Sequence, residues 1–130
     1  MELLVVMLIL GILAAILVPQ FLNQKTKATD SGAKATARIM QTAMEICGTQ
    51  NNGFSGCDIT ALRAIEKSIP QSGTTVAADP GNPAGGWSVS AESTNGNSFE
   101  IERDANAVTA RNCTVPVGKD RGGCPPGGNW

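Results

Sequence analysis

The chain has 130 residues, 42% of them hydrophobic but only 4% aromatic, with ten basic and eleven acidic side chains, no histidine and a formal charge of −1. That length holds one apolar helix and one globular domain of roughly a hundred residues, whose core alone is marginal. Near-neutral charge argues against a general affinity for nucleic acid, which needs a clustered basic surface, and the missing histidine removes the commonest acid–base side chain.

Glu2 stands in front of an uncharged, mostly apolar run, Leu3 to Val18, and Pro19 closes it. As a helix this run extends roughly 24 Å, short of the ~30 Å hydrocarbon core of a bilayer. A carboxylate at the mouth of such a helix costs a few kcal/mol if it enters hydrocarbon, so it calls for a cationic partner. The first basic side chain is Lys25, more than about 30 Å away along a helix. The partner must therefore come from another molecule. A cleaved signal peptide would begin with a basic segment and end in small residues, whereas this run begins with an acid and ends in Pro19-Gln20-Phe21-Leu22.

Glu2-Leu3-Leu4-Val5-Val6, then Gly11-Ile12-Leu13-Ala14-Ala15-Ile16, then Pro19 and Phe21, resemble the N-terminal signature of type IV pilins and of the related pseudopilins. The likeness covers residues 2 to about 24. It implies that Glu2, Gly11 and Pro19 serve assembly, with Glu2 pairing with the N-terminal amine of a neighbouring subunit. It further implies an inner-membrane stage, a prepilin peptidase, assembly machinery and a methylated N-terminal amine. Members of the family carry further residues before the glutamate, so the mature N-terminus is expected three residues ahead of Met1.

From residue 2 to about 49 a single helix is expected, with residues 1–24 as the hydrophobic assembly or transmembrane segment and 25–130 as the globular head. Ala28, Ala35, Ile39, Ala43 and Ile46, beside Met40, Met44 and Cys47, form a stripe at spacings of three, four and seven that would seat a small sheet over residues 25–49. Gly48 is expected to end the helix. Lys25, Lys27, Lys34 and Arg38 read as a solvated face or a headgroup anchor.

A short helix follows over 58–68, capped by Asp58 or Thr60, with Leu62, Ile65 and Ile69 on one face and Pro70 as its stop. The stretch 70–86, rich in proline and glycine, reads as an exposed loop. Over 87–113 the apolar period becomes two: Trp87, Val89 and Ala91, then Phe99 and Ile101, then Val108 and Ala110. These are three strands of an antiparallel meander, apolar face inward. Asn95-Gly96 turns the first hairpin and Asp104-Ala105-Asn106 the second, with Asn106 as the left-handed residue. Arg111 is then expected on the outer face beside Glu100 and Glu102. Residues 114–130 form a Pro/Gly-rich tail that would have little reason to stay ordered without Cys124.

The cysteines, Cys47, Cys57, Cys113 and Cys124, lack the short spacing of zinc knuckles. Local pairing is expected, Cys47 with Cys57 and Cys113 with Cys124, each closing a loop of about ten residues. Asp79, Asp104 and Asp120 are read as turn formers rather than calcium ligands. No catalytic constellation is present, and no cofactor or metal is expected.

The fold class expected is α+β: a long N-terminal helix packed on a three- to four-stranded antiparallel sheet, with a disulfide-stapled C-terminal loop. The function expected is that of a structural, non-enzymatic subunit of an extracellular type IV pilus, a helical homopolymer serving adhesion, motility or DNA uptake. The alternative is the major pseudopilin of a type II secretion system, a group that commonly uses a calcium-bound C-terminal loop instead of disulfides. A membrane-anchored domain that never polymerises would not need Glu2. Aromatics confined to Phe21, Phe54, Trp87, Phe99 and Trp130 argue against a conductive fibre. Within a filament, Gly11 to Pro19 is expected to be partly non-helical, because Pro19 cannot donate to the Ala15 carbonyl and Gly11 weakens the helix by about 1 kcal/mol.

Overall fold

The computed structural model describes residues 1–71 and 75–130. Helix α1 (Glu2–Asn51) is followed by α2 (Ile59–Ile65) and the strands β1 (Val76–Pro80), β2 (Trp87–Glu92), β3 (Ser98–Arg103) and β4 (Thr109–Thr114). The strands form one antiparallel sheet in the order β1-β2-β3-β4. The architecture is α+β, a long helix against a four-stranded meander.

Helix α1 runs unbroken through Pro19 and past Gly48. Its end is set by Asn52, which takes the left-handed conformation (φ 54°) and donates its amide to the Gly48 carbonyl; an asparagine tolerates that geometry as glycine does. Gly48 therefore serves closeness rather than termination. It is buried, and any Cβ placed on it would overlap the Phe54 ring.

The buried stripe of α1 is Asp30, Ala33, Ala37, Met40, Ala43, Met44 and Cys47. Ala28, Ala35 and Ile46, expected on that seat, are exposed. The true stripe steps three, four and three from Asp30 to Met40, and then continues through Met44 and Cys47. Its alanines let the sheet approach, so that Met40 and Met44 reach Trp87, Val89, Phe99 and Ile101 in one continuous core. In α2, Asp58 Oδ1 accepts the Ala61 amide at 2.9 Å and caps the helix. The helix ends at Ile65, short of 68, and Lys67 lies beyond it.

Strand β1 lies inside the stretch read as a loop. Val76 pairs with Ala91 and Pro80 with Trp87; on an edge strand a terminal proline forfeits no ladder bond. The part of that stretch at 72–74 lies outside the described residues. The first hairpin turns at Ser93–Asn97 with Gly96 at φ 95°. In the second, Asp104 Oδ1 accepts the amides of Asn106 (2.9 Å) and Val108 (2.8 Å), and the left-handed residue is Ala107 (φ 64°), not Asn106.

That turn sets the parity of β4. Ile101 pairs with Arg111 and Glu102 with Ala110, and directly paired residues share a face. Ala110 therefore points outward, Val108 is exposed in the turn, and Arg111 lies on the face toward α1. A one-residue change of register moves every side chain to the other face. The three expectations for Val108, Ala110 and Arg111 are all reversed for this single reason.

Candidate assembly surface

From Leu3 to Leu22, fifteen large apolar side chains of α1 are each 50 to 72% exposed. A soluble monomer rarely shows a contiguous apolar patch above a few hundred Å². The segment is long and apolar enough to cross a membrane, by length and composition. Covering it is strongly favourable, at roughly 1.5 kcal/mol or more for each large side chain fully buried. Glu2 occupies its first turn, where the helix dipole favours an anion. Among the described residues the one ion pair is Arg103 with Glu45, at 2.9 Å, and no cation among them pairs with Glu2. A Cβ on Gly11 would meet nothing within 4 Å. Pro19 sits within the helix. These three residues are thus strung along one bare apolar rod, and the structure does not bring them together.

The head closes on the lower part of the same helix through its C-terminal segment. Asp30, fully buried, accepts through Oδ2 the Asn97 side-chain amide at 2.9 Å and the Gly123 backbone amide at 2.7 Å. Asn97 also donates to the carbonyls of Asp120 (3.0 Å) and Arg121 (3.2 Å). Lys34 donates to the Gly123 carbonyl at 2.6 Å. The loop backbone presses so closely that a Cβ on Gly122 would strike Asp30 and Thr26.

Trp130 completes the closure. Its ring nitrogen donates to the Asn112 carbonyl at 2.8 Å, its ring meets Phe99 edge-to-face at 5.7 Å, and Cys113 donates its amide to the Gly128 carbonyl. The tail thereby covers the β4 edge, which would otherwise expose an unpaired strand. Cys113 is bonded to Cys124, and Cys47 to Cys57. The tail has many more ties than Cys124, contrary to the expectation drawn from its composition.

Lys34 and Arg38 also depart from a purely solvated basic face. Lys34 Nζ lies 5.3 Å from the Phe99 ring and 5.6 Å from Trp130, and Arg38 Cζ lies 5.5 Å from Trp130. Lys25 and Lys27 lie on the bare stretch of α1 before this closure. Asp30 and Trp130 escaped the sequence reading. The signal for Asp30 was the three-four spacing carried back from Met40 through Ala37 and Ala33; nothing comparable marked Trp130.

The outer sheet face is acidic. Burial and the neighbouring Glu102 carboxylate raise the Glu100 pKa, and the Ser88 hydroxyl opposes them. Asn112 Nδ2 donates to Glu102 Oε1 at 3.0 Å. On the opposite flank, the backbone amide and hydroxyl of Ser68 hold Glu66 below its ordinary value. Asp104 and Asp120 spend carboxylate oxygens on their own turns. Among the described residues no group of three or more His, Cys, Asp or Glu is placed to hold a metal.

No protein-family model matches the chain. No solved structure matches it either. Among curated proteins it is similar to a type IV narrow pilus major component, PilA5, of Thermus thermophilus, with 39% identity over 57 residues. Those residues are 44% of this chain and 49% of the relative, so the match spans about half of each. This likeness to a type IV pilin, over about half of each chain, agrees with the apolar helix, the four-stranded sheet and the stapled tail and supports a kinship with the type IV pilins.

Proposed function

We propose that the chain is a structural subunit of an extracellular type IV pilus, polymerising through its N-terminal apolar helix and serving adhesion, motility or DNA uptake. In this reading residues 1–24 are the assembly segment, held in the inner membrane before polymerisation, and 25–130 form the head. The observation that carries it is the bare run from Leu3 to Leu22 headed by an unpaired acid. A lipid bilayer satisfies the apolar side chains but not Glu2. A bundle of identical helices satisfies both, because the terminal amine of a neighbouring copy can meet the carboxylate within the bundle. Breaking a buried pair of that kind by removing one partner typically costs about 3 to 5 kcal/mol.

The experiment is to shear filaments from cells producing the full chain or its Glu2→Ala variant and to image both by electron microscopy. Long fibres of the unaltered chain, and their loss in the variant with stored subunit still present in the membrane, are expected. Equal fibres from both would remove Glu2 from assembly. No fibres from either would overturn the filament.

A further inference from the structure

Charge on the strands is partitioned by face. The acids Asp79, Glu92, Glu100 and Glu102 occupy the outer face, and the arginines Arg103 and Arg111 the face toward α1. Arg103 is answered by Glu45, at 2.9 Å. Arg111 is not. Its guanidinium lies 5.6 Å from the Trp130 ring, where Arg38 and Lys34 also gather. Among the described residues no carboxylate comes within ion-pair distance of these three cations. Trp130 offsets only part of their repulsion, at about 0.5 to 1 kcal/mol per exposed cation–π contact. Arg38 and Arg111 are exposed, and a polar cleft lined by Gln41, Thr109, Arg111, Asn129 and Trp130 opens beside them. Arg111 lines the cleft and Arg38 stands at the same Trp130 ring, and guanidinium forks are suited to carboxylates, which they bind through paired hydrogen bonds.

We propose that this cup is an intersubunit contact that receives the acidic outer sheet face of a second copy of the chain. The inference rests on the filament reading and adds its head-to-head specificity. The complement is present on the molecule itself, since Glu100 and Glu102 share the outer face and no cation pairs with either among the described residues. The cup and the acidic face look in opposite directions across one sheet. A contact between them is therefore heterologous: it does not form a self-complementary pair but runs head to tail from copy to copy, as the successive subunits of a helical filament require. Apolar helix packing supplies the holding energy, and the charged contact supplies register and encounter rate.

The test uses the full chain in cells that make filaments. An Arg38→Glu/Arg111→Glu double variant and a Glu100→Lys/Glu102→Lys double variant should each lower the yield of sheared filament roughly tenfold or more, as close charge pairs across interfaces commonly do. Combining all four substitutions should restore most of the yield. Non-reducing gels of the membrane fraction check that stored subunit and both disulfides persist. A separate arm does not depend on charge reversal: Arg111→Lys filaments treated with a zero-length carbodiimide should give intersubunit cross-links from position 111 to Glu100 or Glu102. Unchanged yield in either double variant with its stored subunit intact, no recovery on combining them, or cross-links to other acids would overturn the contact. Loss of yield from the arginine pair alone would assign the cup to a different anionic partner and equally overturn it. Failure of the unaltered chain to form filaments would count against the filament itself, whereas robust filaments indifferent to charge reversal would sink only this contact.

Discussion

Asp30 in the long helix and Gly123 in the C-terminal segment, 93 residues apart, are joined by a 2.7 Å hydrogen bond from the glycine amide to the buried carboxylate. It ties the last loop of the head to the point where the buried stripe of α1 begins. One oxygen of Asp30 takes both protein donors, from Gly123 and Asn97, and the other has no protein partner among the described residues. Asp30→Ala strands the Gly123 amide, while Asn97 keeps its carbonyl partners Asp120 and Arg121, and should destabilise the head by about 1 to 3 kcal/mol, the cost of one buried unsatisfied group. Asp30→Asn can keep the accepting oxygen and should cost clearly less. Urea unfolding of the two purified variants measures the difference, and equal losses would show that the charge, not the acceptor, matters.

The two disulfides should differ in consequence though not in size. In the chain-entropy model, loops closed over separations of 10 and 11 residues each contribute about 2 to 3 kcal/mol. Cys47→Ser/Cys57→Ser loosens the α1–α2 junction beneath Phe54. Cys113→Ser/Cys124→Ser leaves the tail held by Asp30, Lys34, Asn97 and Trp130, so it should remain largely docked. Limited proteolysis reads this: cleavage after Lys119 or Arg121 should rise several-fold without the head unfolding.

Two glycines of one helix should respond oppositely to alanine. At Gly48 a new methyl overlaps the Phe54 ring, which packs edge-on to Trp87 at 6.2 Å. Overpacking of that kind costs about 1 to 3 kcal/mol and outweighs the helix preference of alanine. At Gly32 the methyl meets nothing within 4 Å, so Gly32→Ala should stabilise by about 0.5 to 1 kcal/mol. Thermal melts of the two variants should move in opposite directions.

Glu100 sets a pH dependence of defined sign. Its pKa in the folded chain is raised above the ordinary 4.5 by burial and by Glu102. The folded chain then binds this proton more tightly than the unfolded one, so stability falls as pH rises from the ordinary value through the raised one. Glu100→Gln removes that slope and should stabilise the head at neutral pH by a few tenths of a kcal/mol, the effect being screened by solvent. Denaturant midpoints at pH 4 and pH 7 measure it. A variant less stable at pH 7 than the parent would show that Glu100 is a favourable charge.

In the assembled filament the segment from Gly11 to Pro19 should lose part of its helix, although α1 is continuous through it in the isolated subunit. Pro19 leaves the Ala15 carbonyl without its usual donor, and Gly11 adds about 1 kcal/mol of helix weakness. Packed neighbours can cover an extended segment that lipid would not tolerate. Continuous helical density from Leu10 through Gln20 in a filament map would refute this.

What the sequence determined by itself was set by patterns read over neighbouring residues. The apolar run behind Glu2 marks a long apolar helix, the alternation at Trp87–Ala91 and at Phe99–Ile101 marks buried strands, and Asp58 marks a cap, because each depends on local period or local hydrogen bonding. The tertiary structure decided wherever one residue of phase mattered. The turn from Asp104 to Val108 reversed the faces of β4, and a rotation of the α1 stripe exchanged Ala28, Ala35 and Ile46 for Ala33, Ala37 and Asp30. The tail was invisible for a different reason. Its order comes from single contacts over long sequence separations, Asp30 to Gly123 and Trp130 to Lys34 and Arg38, and such contacts leave no periodicity for a sequence to display.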